Sequence, residues 1–339
     1  MSPLRIAIAA ALFLCAACAP AADPEKPKLD TILDNFADDG HGDLLSVIVV
    51  QDGEWVAERY FNGADATTLH DVRSAGKSVT SLLFGIAVDQ GAIESLDDPV
   101  AKYWPEAEGS EIGRVPLRDL LTMRTGLDAD GDDPSTPGYE DFLDASDDPL
   151  SFPMTVPRVD EPGERYRYNS LAAYVAGVVI QRATGEDLDD FARENLFEPL
   201  GIESWDWQKD RSGQTKGQGN LFLTAQGMAR LGEMVLAGGA HGDRQVVSSD
   251  WIRESLEPRF DISDRDPFAS SYGYYWYNQT YPVNGRSIGV SFASGNGGNK
   301  IYVIPELRMV LAIQSKAYGQ GRGQRRSESI LKAVLALQE

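Results

Sequence analysis

The sequence predicts a mixed α/β fold of the α+β type, with one antiparallel sheet flanked by helices. Strand-like β-branched runs lie near both ends of the chain, whereas the middle shows helical patterns with long loops. Strands at both termini are most simply packed in a single sheet with the helical region inserted between them. We expect the domain to span 42–339, with sheet regions at about 42–73 and 265–339 and the helical region at about 92–260.

The overall composition limits the classes of molecule that this protein is expected to bind. The 339 residues include 31 Lys and Arg against 52 Asp and Glu, which gives a net charge of −21. An acidic surface of this size repels phosphate backbones, so we expect no nucleic-acid partner.

The N-terminus predicts an export signal over 1–18, followed by a linker over 19–41. Arg5 provides a positive charge, and the apolar stretch Ile6–Leu14 is too short to span a bilayer. Cys18 follows two alanines and resembles the lipid acceptor of bacterial lipoproteins; cleavage after Ala21 is the alternative. We therefore expect a periplasmic or outer-membrane lipoprotein that meets the membrane only through its lipid.

Both cysteines of the chain, Cys15 and Cys18, lie in this leader. The predicted domain therefore contains no disulfide, thiol nucleophile or cysteine-based metal site. Three scattered histidines without thiols also argue against zinc. We expect no metal and no cofactor.

Regular elements follow in order along the predicted domain. A hairpin is indicated by two strand-like runs around a turn containing Asp52-Gly53. A helix begins near Ser74, with its apolar stripe on the side away from Ser74 and Lys77. The remaining predicted elements are a short helix at Leu117–Met123, an acidic loop at Asp128–Gly138, a buried helix at Leu171–Ala183, a helix at Thr224–Leu236, strands at Ser287–Ala293, Lys300–Ile304 and Val310–Gln314, and a final covering helix.

The Ser-x-x-Lys spacing of Ser74 and Lys77 is the first chemical signal. Residues at i and i+3 lie on one face of a helix, so the amine can reach the hydroxyl. A nucleophile beside a candidate base is the minimal arrangement for covalent acyl transfer. The small residues that share this side leave room either for substrate or for close packing.

Two further segments strengthen that interpretation. Tyr168 precedes the buried helix, with Ser170 as its expected N-cap, and can point into a cleft or pack the helix end. The glycine-rich segment Asn296-Gly297-Gly298-Asn299 precedes a strand, where a backbone N–H can join that of Ser74 in binding an oxyanion. The alternative interpretation of this glycine-rich segment is a plain hairpin turn.

In this order, the three segments resemble the serine β-lactamase-like superfamily of penicillin-binding proteins, class C β-lactamases, esterases and amidases. The resemblance covers nearly all of the chain after the leader. Flanking stretches also look like members of this group, namely Leu69–Arg73, Leu120–Leu127 and Tyr272–Trp276. The resemblance implies a β-lactamase/transpeptidase-like fold.

Two departures from the class C pattern favour one branch of that superfamily. Tyr168-Asn169-Ser170 replaces Tyr-x-Asn, and Asn296-Gly297-Gly298 stands where Lys-Thr-Gly is usual. The missing lysine removes a natural partner for a substrate carboxylate. The chain is therefore more similar to 6-aminohexanoate-dimer hydrolases and related carboxylesterases.

The resemblance implies a serine hydrolase that cleaves a small-molecule ester or amide through an acyl-enzyme on Ser74. Lys77 and Tyr168 share the activating proton, and the N–H groups of Ser74 and Asn299 bind the oxyanion. The alternatives are a D,D-peptidase or β-lactamase, and a non-catalytic binding or sensor module on the same fold.

Overall fold

The structure is a computed structural model that describes residues 29–37 and 40–338. The predicted export signal and Cys18 lie outside the described residues. Helices and strands are numbered here in chain order. The helices are α1 Leu29–Ala37, α2 Gly76–Asp89, α3 Val100–Tyr103, α4 Leu117–Leu121, α5 Glu140–Ala145, α6 Ser170–Thr184, α7 Leu188–Ala192, α8 Ala225–Leu236, α9 Ser249–Leu256 and α10 Gly321–Leu335. The strands are β1 Leu44–Gln51, β2 Glu54–Tyr60, β3 His70–Asp71, β4 Trp205–Trp207, β5 Leu221–Leu223, β6 Ala240–His241, β7 Arg244–Gln245, β8 Phe260–Asp261, β9 Ser271–Tyr272, β10 Tyr277–Val283, β11 Arg286–Gly295, β12 Asn299–Ile304 and β13 Met309–Ser315.

One eight-stranded sheet confirms the predicted fold class. Its order is β2-β1-β13-β12-β11-β10-β9-β8, and each neighbouring pair is antiparallel. The last strand pairs with the first, as Val50 lies opposite Val310. The sheet region differs from prediction at its N-terminal edge, because β3 joins β5 and β4 in a separate three-stranded sheet.

Helices cover both faces of the large sheet. On one face, Gly232 of α8 packs so closely on β13 that an added Cβ would lie 2.5 Å from Val310 Cγ1. On the other face, Arg326 of α10 donates to Ser315 Oγ at 2.6 Å. Successive residues of a strand point to opposite faces, which is why Val310 and Ser315 meet different helices. Among the described residues, no helix is long and apolar enough to cross a membrane.

The linker prediction is wrong over 29–37, where the structure has helix α1. This helix contacts α10, β1 and β2, and its Leu33 is fully buried. Its acidic side pairs with β2, since Arg59 forms salt bridges with Asp30 and Asp34. The signal for this helix is present in the sequence, as the helical spacing of the apolar residues Leu29, Ile32, Leu33 and Phe36.

Helix α2 is buried on every side rather than along one stripe. All residues from Gly76 to Ala87 are buried, and an added Cβ on Gly85 would lie 2.2 Å from Trp251 Cδ1. The small-residue side of this helix therefore serves close packing along most of its length, whereas Ser74, in the turn before the helix, lines a cleft.

The N-cap of α6 is Asn169. The expectation that Ser170 is the N-cap is therefore corrected. Asn169 Oδ1 accepts a hydrogen bond from the backbone N–H of Ala172 at 2.7 Å, while Asn169 Nδ2 donates to the Arg167 carbonyl. Ser170 is the first helical residue, which frees its hydroxyl to face Lys77.

Replacing Asn169 with alanine is expected to lower the free energy of unfolding by about 1–2 kcal/mol, because a buried helix loses its cap. Denaturant unfolding followed by circular dichroism measures this change. Asn169→Asp retains an acceptor for the Ala172 N–H, so it should cost less. Equal stability of the wild type and Asn169→Ala would contradict the assigned cap.

Candidate active site

Ser74 lies in a tight turn at the entrance to α2. The 3₁₀ turn Arg73–Ala75 precedes the helix, and Arg73 adopts a left-handed φ of 54°. The Asp71 carboxylate accepts from the Arg73 backbone N–H at 2.8 Å and thereby supports this conformation. The turn leaves Ser74 half-buried on the wall of a cleft of about 400 Å³.

Lys77 is buried next to Ser74, as the i, i+3 spacing predicts. Its side chain is only 2% exposed. Its Nζ donates to Ser74 Oγ at 2.9 Å, to Ser170 Oγ at 3.2 Å and to the Gln218 carbonyl at 2.7 Å. An ammonium has three protons, so these acceptors satisfy it and fix its position.

A carboxylate that we did not predict completes this hydrogen-bond chain. Ser170 Oγ donates to Glu140 Oε2 at 2.5 Å, and Glu140 also lines the cleft. Lys77 is thus linked to a negative charge through one hydroxyl rather than by direct contact. Glu140 begins α5, 30 residues before Ser170, so no local spacing in the sequence indicated this contact.

Tyr168 lies on the same cleft, half-buried. Lys77 Nζ is 5.2 Å from the centre of its ring. The backbone of Tyr168 is fixed by the acidic loop, because the Gly131 N–H donates to its carbonyl at 2.6 Å. The structure therefore brings together Ser74, Lys77, Tyr168 and Ser170, which come from two separate segments of the chain.

The strand edge that lines the cleft is formed by residues other than those predicted, except for Asn296. Ser294, Gly295 and Asn296 line the cleft, whereas Gly297, Gly298 and Asn299 do not. Asn299 is fully buried in the β11–β12 pair opposite Gly295, its side-chain Nδ2 donates to the Asn296 carbonyl, and its Oδ1 accepts from the Ser315 N–H. Because Asn299 does not line the cleft, its position does not support the expected oxyanion role of its backbone N–H.

Gly297 and Gly298 serve packing instead of substrate binding. An added Cβ on Gly297 would lie 2.8 Å from the Ser315 carbonyl, and one on Gly298 would lie 2.4 Å from the Gly323 carbonyl. Both glycines therefore let the hairpin pack tightly against β13 and α10.

Gly295 is the glycine that approaches the Ser74 turn. An added Cβ there would lie 2.0 Å from the Val72 carbonyl and 3.1 Å from the Ala75 nitrogen. The next residue, Asn296, is exposed to the cleft. No described residue accepts a hydrogen bond from its backbone N–H. This N–H is thus available to a ligand bound at Ser74.

Lys300 is the second unpredicted member of the cleft. It lies opposite Ser294 in the β11–β12 pair, and its Nζ donates to Ser294 Oγ at 2.8 Å. Burial lowers the pKa of Lys300 to about 7, against the opposing influence of the Asp266 and Glu328 carboxylates. The expectation that the cleft lacks a basic residue at this edge is therefore corrected.

His70 does not join Ser74 in a catalytic triad. Its Nε2 lies 3.2 Å from the Ser315 carbonyl and 3.0 Å from the Tyr318 hydroxyl. Burial lowers the pKa of His70 to about 4. A neutral, hydrogen-bonded histidine in the protein interior has a structural role here.

Comparison with known proteins agrees with this geometry. The family described as Beta-lactamase matches residues 29–335. A 6-aminohexanoate-dimer hydrolase from Paenarthrobacter ureafaciens is 25% identical over 278 residues, which cover 78% of this chain and 70% of that protein.

Solved structures show the same fold at lower sequence identity. A family VIII carboxylesterase superposes with a TM-score of 0.70 at 19% identity, covering 91% of this chain and 98% of that one. A class C β-lactamase from Rhodobacter sphaeroides superposes with a TM-score of 0.67 at 18% identity, covering 91% and 99%. The chain therefore belongs to the β-lactamase family and is a serine hydrolase of the β-lactamase fold.

Proposed function

We propose that this protein hydrolyses an ester or amide of a small molecule through an acyl-enzyme on Ser74. The observation that carries the proposal is the 2.9 Å contact between Lys77 Nζ and Ser74 Oγ, on a cleft shared with Tyr168. A hydroxyl within hydrogen-bond distance of a fixed amine and beside a phenol is arranged for nucleophilic attack.

Acylation and deacylation use the same groups. Ser74 Oγ bonds to the substrate carbonyl carbon as its proton passes to the Lys77–Tyr168 pair, which accepts it in the form that has already lost one proton, either as a Lys77 amine or as a Tyr168 phenolate held by the Lys77 ammonium. That proton then goes to the departing alcohol or amine as the bond to the carbonyl carbon breaks. Water next attacks the acyl-enzyme, gives its proton to the same pair, and releases the acid while Ser74 regains its hydrogen.

The oxyanion of each tetrahedral intermediate is bound by two backbone N–H groups, those of Ser74 and Asn296. Gly295 supports this assignment, because its close approach to Val72 and Ala75 brings the strand end onto the Ser74 turn. One such donor contributes about 10²–10³-fold to the rate. Asn296 replaces Asn299 in this role.

Open-chain esters and amides are the proposed substrates, in preference to β-lactams. The similarity to a 6-aminohexanoate-dimer hydrolase supports an amide or ester substrate. Gly295, and not the expected Gly298, lies at the Ser74 turn, so Ala293 takes the place where the Lys-Thr-Gly pattern has lysine, in correction of the expected match with Asn296. D,D-peptidase or β-lactamase activity is the alternative outcome of the experiment below.

We also propose that the protein is exported and carried on a lipid at Cys18. The basic residue, short apolar stretch and small-residue cleavage region of the first 18 residues support this proposal.

The reaction class is tested by offering the protein short-chain 4-nitrophenyl esters, 4-nitroanilides and a chromogenic cephalosporin. We expect ester turnover to exceed cephalosporin turnover, because Ala293 stands where the Lys-Thr-Gly pattern has its lysine, and Lys300, the basic residue at this edge, comes from the neighbouring strand instead. Intact-mass and peptide analysis should locate a trapped acyl group on Ser74. Faster hydrolysis of the cephalosporin would favour the β-lactamase alternative, and absence of both turnover and adduct would support a binding module.

A further inference from the structure

A chain of hydrogen bonds connects Glu140 to the nucleophile. Glu140 Oε2 accepts from Ser170 Oγ at 2.5 Å. Lys77 Nζ donates both to this hydroxyl at 3.2 Å and to Ser74 Oγ at 2.9 Å. The groups come from the start of α5, the start of α6, and α2 with the turn before it. The catalytic steps described above make no use of the Glu140 carboxylate.

The directions of these hydrogen bonds fix where the protons lie. A serine hydroxyl has one hydrogen, and a carboxylate can only accept, so the Ser170 hydrogen is used on Glu140. Ser170 therefore presents a lone pair to Lys77. The Gln218 carbonyl is a second group that can only accept from Lys77. Two of the three contacts of Lys77 Nζ thus require it to be the donor.

Burial makes a counter-charge for Lys77 necessary. The side chains of Lys77 and Ser170 are 2% and 3% exposed. A buried ammonium is costly unless a negative charge and hydrogen bonds stabilise it. Within the described part of the chain, no carboxylate contacts Lys77 directly. Glu140 supplies its charge from the open side of the cleft, two hydrogen bonds away.

We propose that Glu140 is a positioning residue whose charge, relayed by the Ser170 hydroxyl, holds Lys77 as the ammonium that donates to Ser74. A nearby opposite charge favours the charged form of an amine. An ammonium has no lone pair, so acceptance of the Ser74 proton falls to Tyr168, whose ring centre is 5.2 Å from Lys77 Nζ. This inference deepens the proposed function and rests on it.

The proposal predicts a change in the pH profile of ester hydrolysis. The Lys77–Tyr168 pair accepts the Ser74 proton only after it has lost one proton, so kcat/KM rises with pH along an acidic limb. The Glu140 charge stabilises the fully protonated, positively charged pair. Without that charge the pair loses its proton more easily, and the acidic limb moves to lower pH.

Other ionisable groups face the same pair. Four phenols surround Tyr168, and burial raises the pKa of each well above its usual range, so that they stay neutral; they are Tyr166, Tyr272, Tyr275 and Tyr277. The charged residues on the other walls of the cleft are Asp130, Asp132, Arg167, Arg265, Asp266 and Lys300. On α5 itself, Asp144 pairs with Lys216. Because burial lowers the pKa of Lys300 to about 7, each profile is repeated in a Lys300→Met background.

The test compares Glu140→Gln with Asp141→Asn. Glutamine keeps the length of the side chain and an acceptor for the Ser170 hydroxyl, so this change removes the charge and little else. Asp141 is the matched control, because it is exposed on the same helix and its replacement removes the same charge. The kcat/KM of the best 4-nitrophenyl ester is measured between about pH 5 and 9. Circular dichroism verifies the fold of each variant.

In Glu140→Gln we expect the acidic limb to move to lower pH by about 0.5–1 unit, the size for two charges separated by two hydrogen bonds beside solvent. The plateau of kcat/KM should fall by about 3- to 10-fold, the range for weakening one hydrogen bond. Asp141→Asn should move the limb by less than about 0.2 unit, because exposed charges are screened.

A merely structural contact would lower the rate equally at every pH. An acidic limb of Glu140→Gln that coincides with that of the wild type, or one that Asp141→Asn moves as far, would overturn the proposal. The relay is tested in Ser170→Ala, where Glu140→Gln should move the limb by less than half as much. An undiminished shift there would overturn the role of the Ser170 hydroxyl.

A second measurement separates this proposal from the proposed function. The rate at which a fluorophosphonate labels Ser74 depends on activation of the nucleophile but not on the natural substrate. If the wild type hydrolyses no ester or amide, the proposed function fails. The role of Glu140 still stands in that case if Glu140→Gln, and not Asp141→Asn, moves the acidic limb of the labelling rate. A Ser74 that is neither acylated nor labelled would overturn both.

Discussion

The Ser74→Ala variant is expected to lose ester hydrolysis by on the order of 10⁴–10⁶-fold in kcat, the range for removing a catalytic serine. Without Oγ no acyl-enzyme can form, and the remaining rate comes only from substrate binding and the oxyanion donors. The fold should persist, because Ser74 is half-buried and, among the described residues, its hydroxyl has a hydrogen bond only with Lys77. Steady-state kinetics on the best 4-nitrophenyl ester measures the loss.

A matched serine controls this experiment. Ser329 is exposed on α10 and donates only to the Arg325 carbonyl of its own helix. Ser329→Ala should hydrolyse the ester like the wild type and keep the fluorophosphonate label that Ser74→Ala loses. Hydrolysis and labelling that survive in Ser74→Ala would place the nucleophile elsewhere.

The second large effect is expected for Lys77→Met, with a loss of about 10²–10⁴-fold in kcat/KM, as is usual for removing a group that transfers the proton. Methionine keeps an unbranched chain of similar length without a buried charge. Ser170 and the Gln218 carbonyl lose a donor, so stability should also fall by about 1–3 kcal/mol. Kinetics at a temperature well below the unfolding transition separates the two effects.

Lys102→Met is the control, because it replaces a surface lysine that pairs with Glu94 and Asp98 and does not line the cleft. A Lys77→Met variant that turns over esters at the wild-type rate, while remaining labelled at Ser74, would assign proton transfer to Tyr168 alone. Circular dichroism shows whether Lys77→Met unfolds. In that case Lys77→Arg is the variant to measure, because it retains the charge while displacing the donor atom.

Local sequence patterns predicted much of the fold. The hairpin at Asp52-Gly53, the buried helix after Tyr168 and the three C-terminal strands occur as expected. In each case the signal lies within about 15 residues, as turn chemistry or as the spacing of apolar residues. Helix α1 carries the same kind of signal, which the linker prediction does not use.

The errors at the cleft have one origin. The choice between Asn296 and Asn299 depends on which backbone groups the β11–β12 hairpin leaves unpaired, and on how close Gly295 comes to Val72. A glycine-rich stretch indicates a turn or a close approach, but it does not say which residue faces the ligand.

The sequence by itself determined the Ser74–Lys77 pair, because a helix places residues three apart on one side whatever surrounds them. Only the tertiary structure decided the rest of the cleft. Glu140 reaches Ser170 from the start of α5, and Lys300 reaches Ser294 through strand pairing. Such contacts depend on the register and packing of distant segments, which no spacing along one segment encodes.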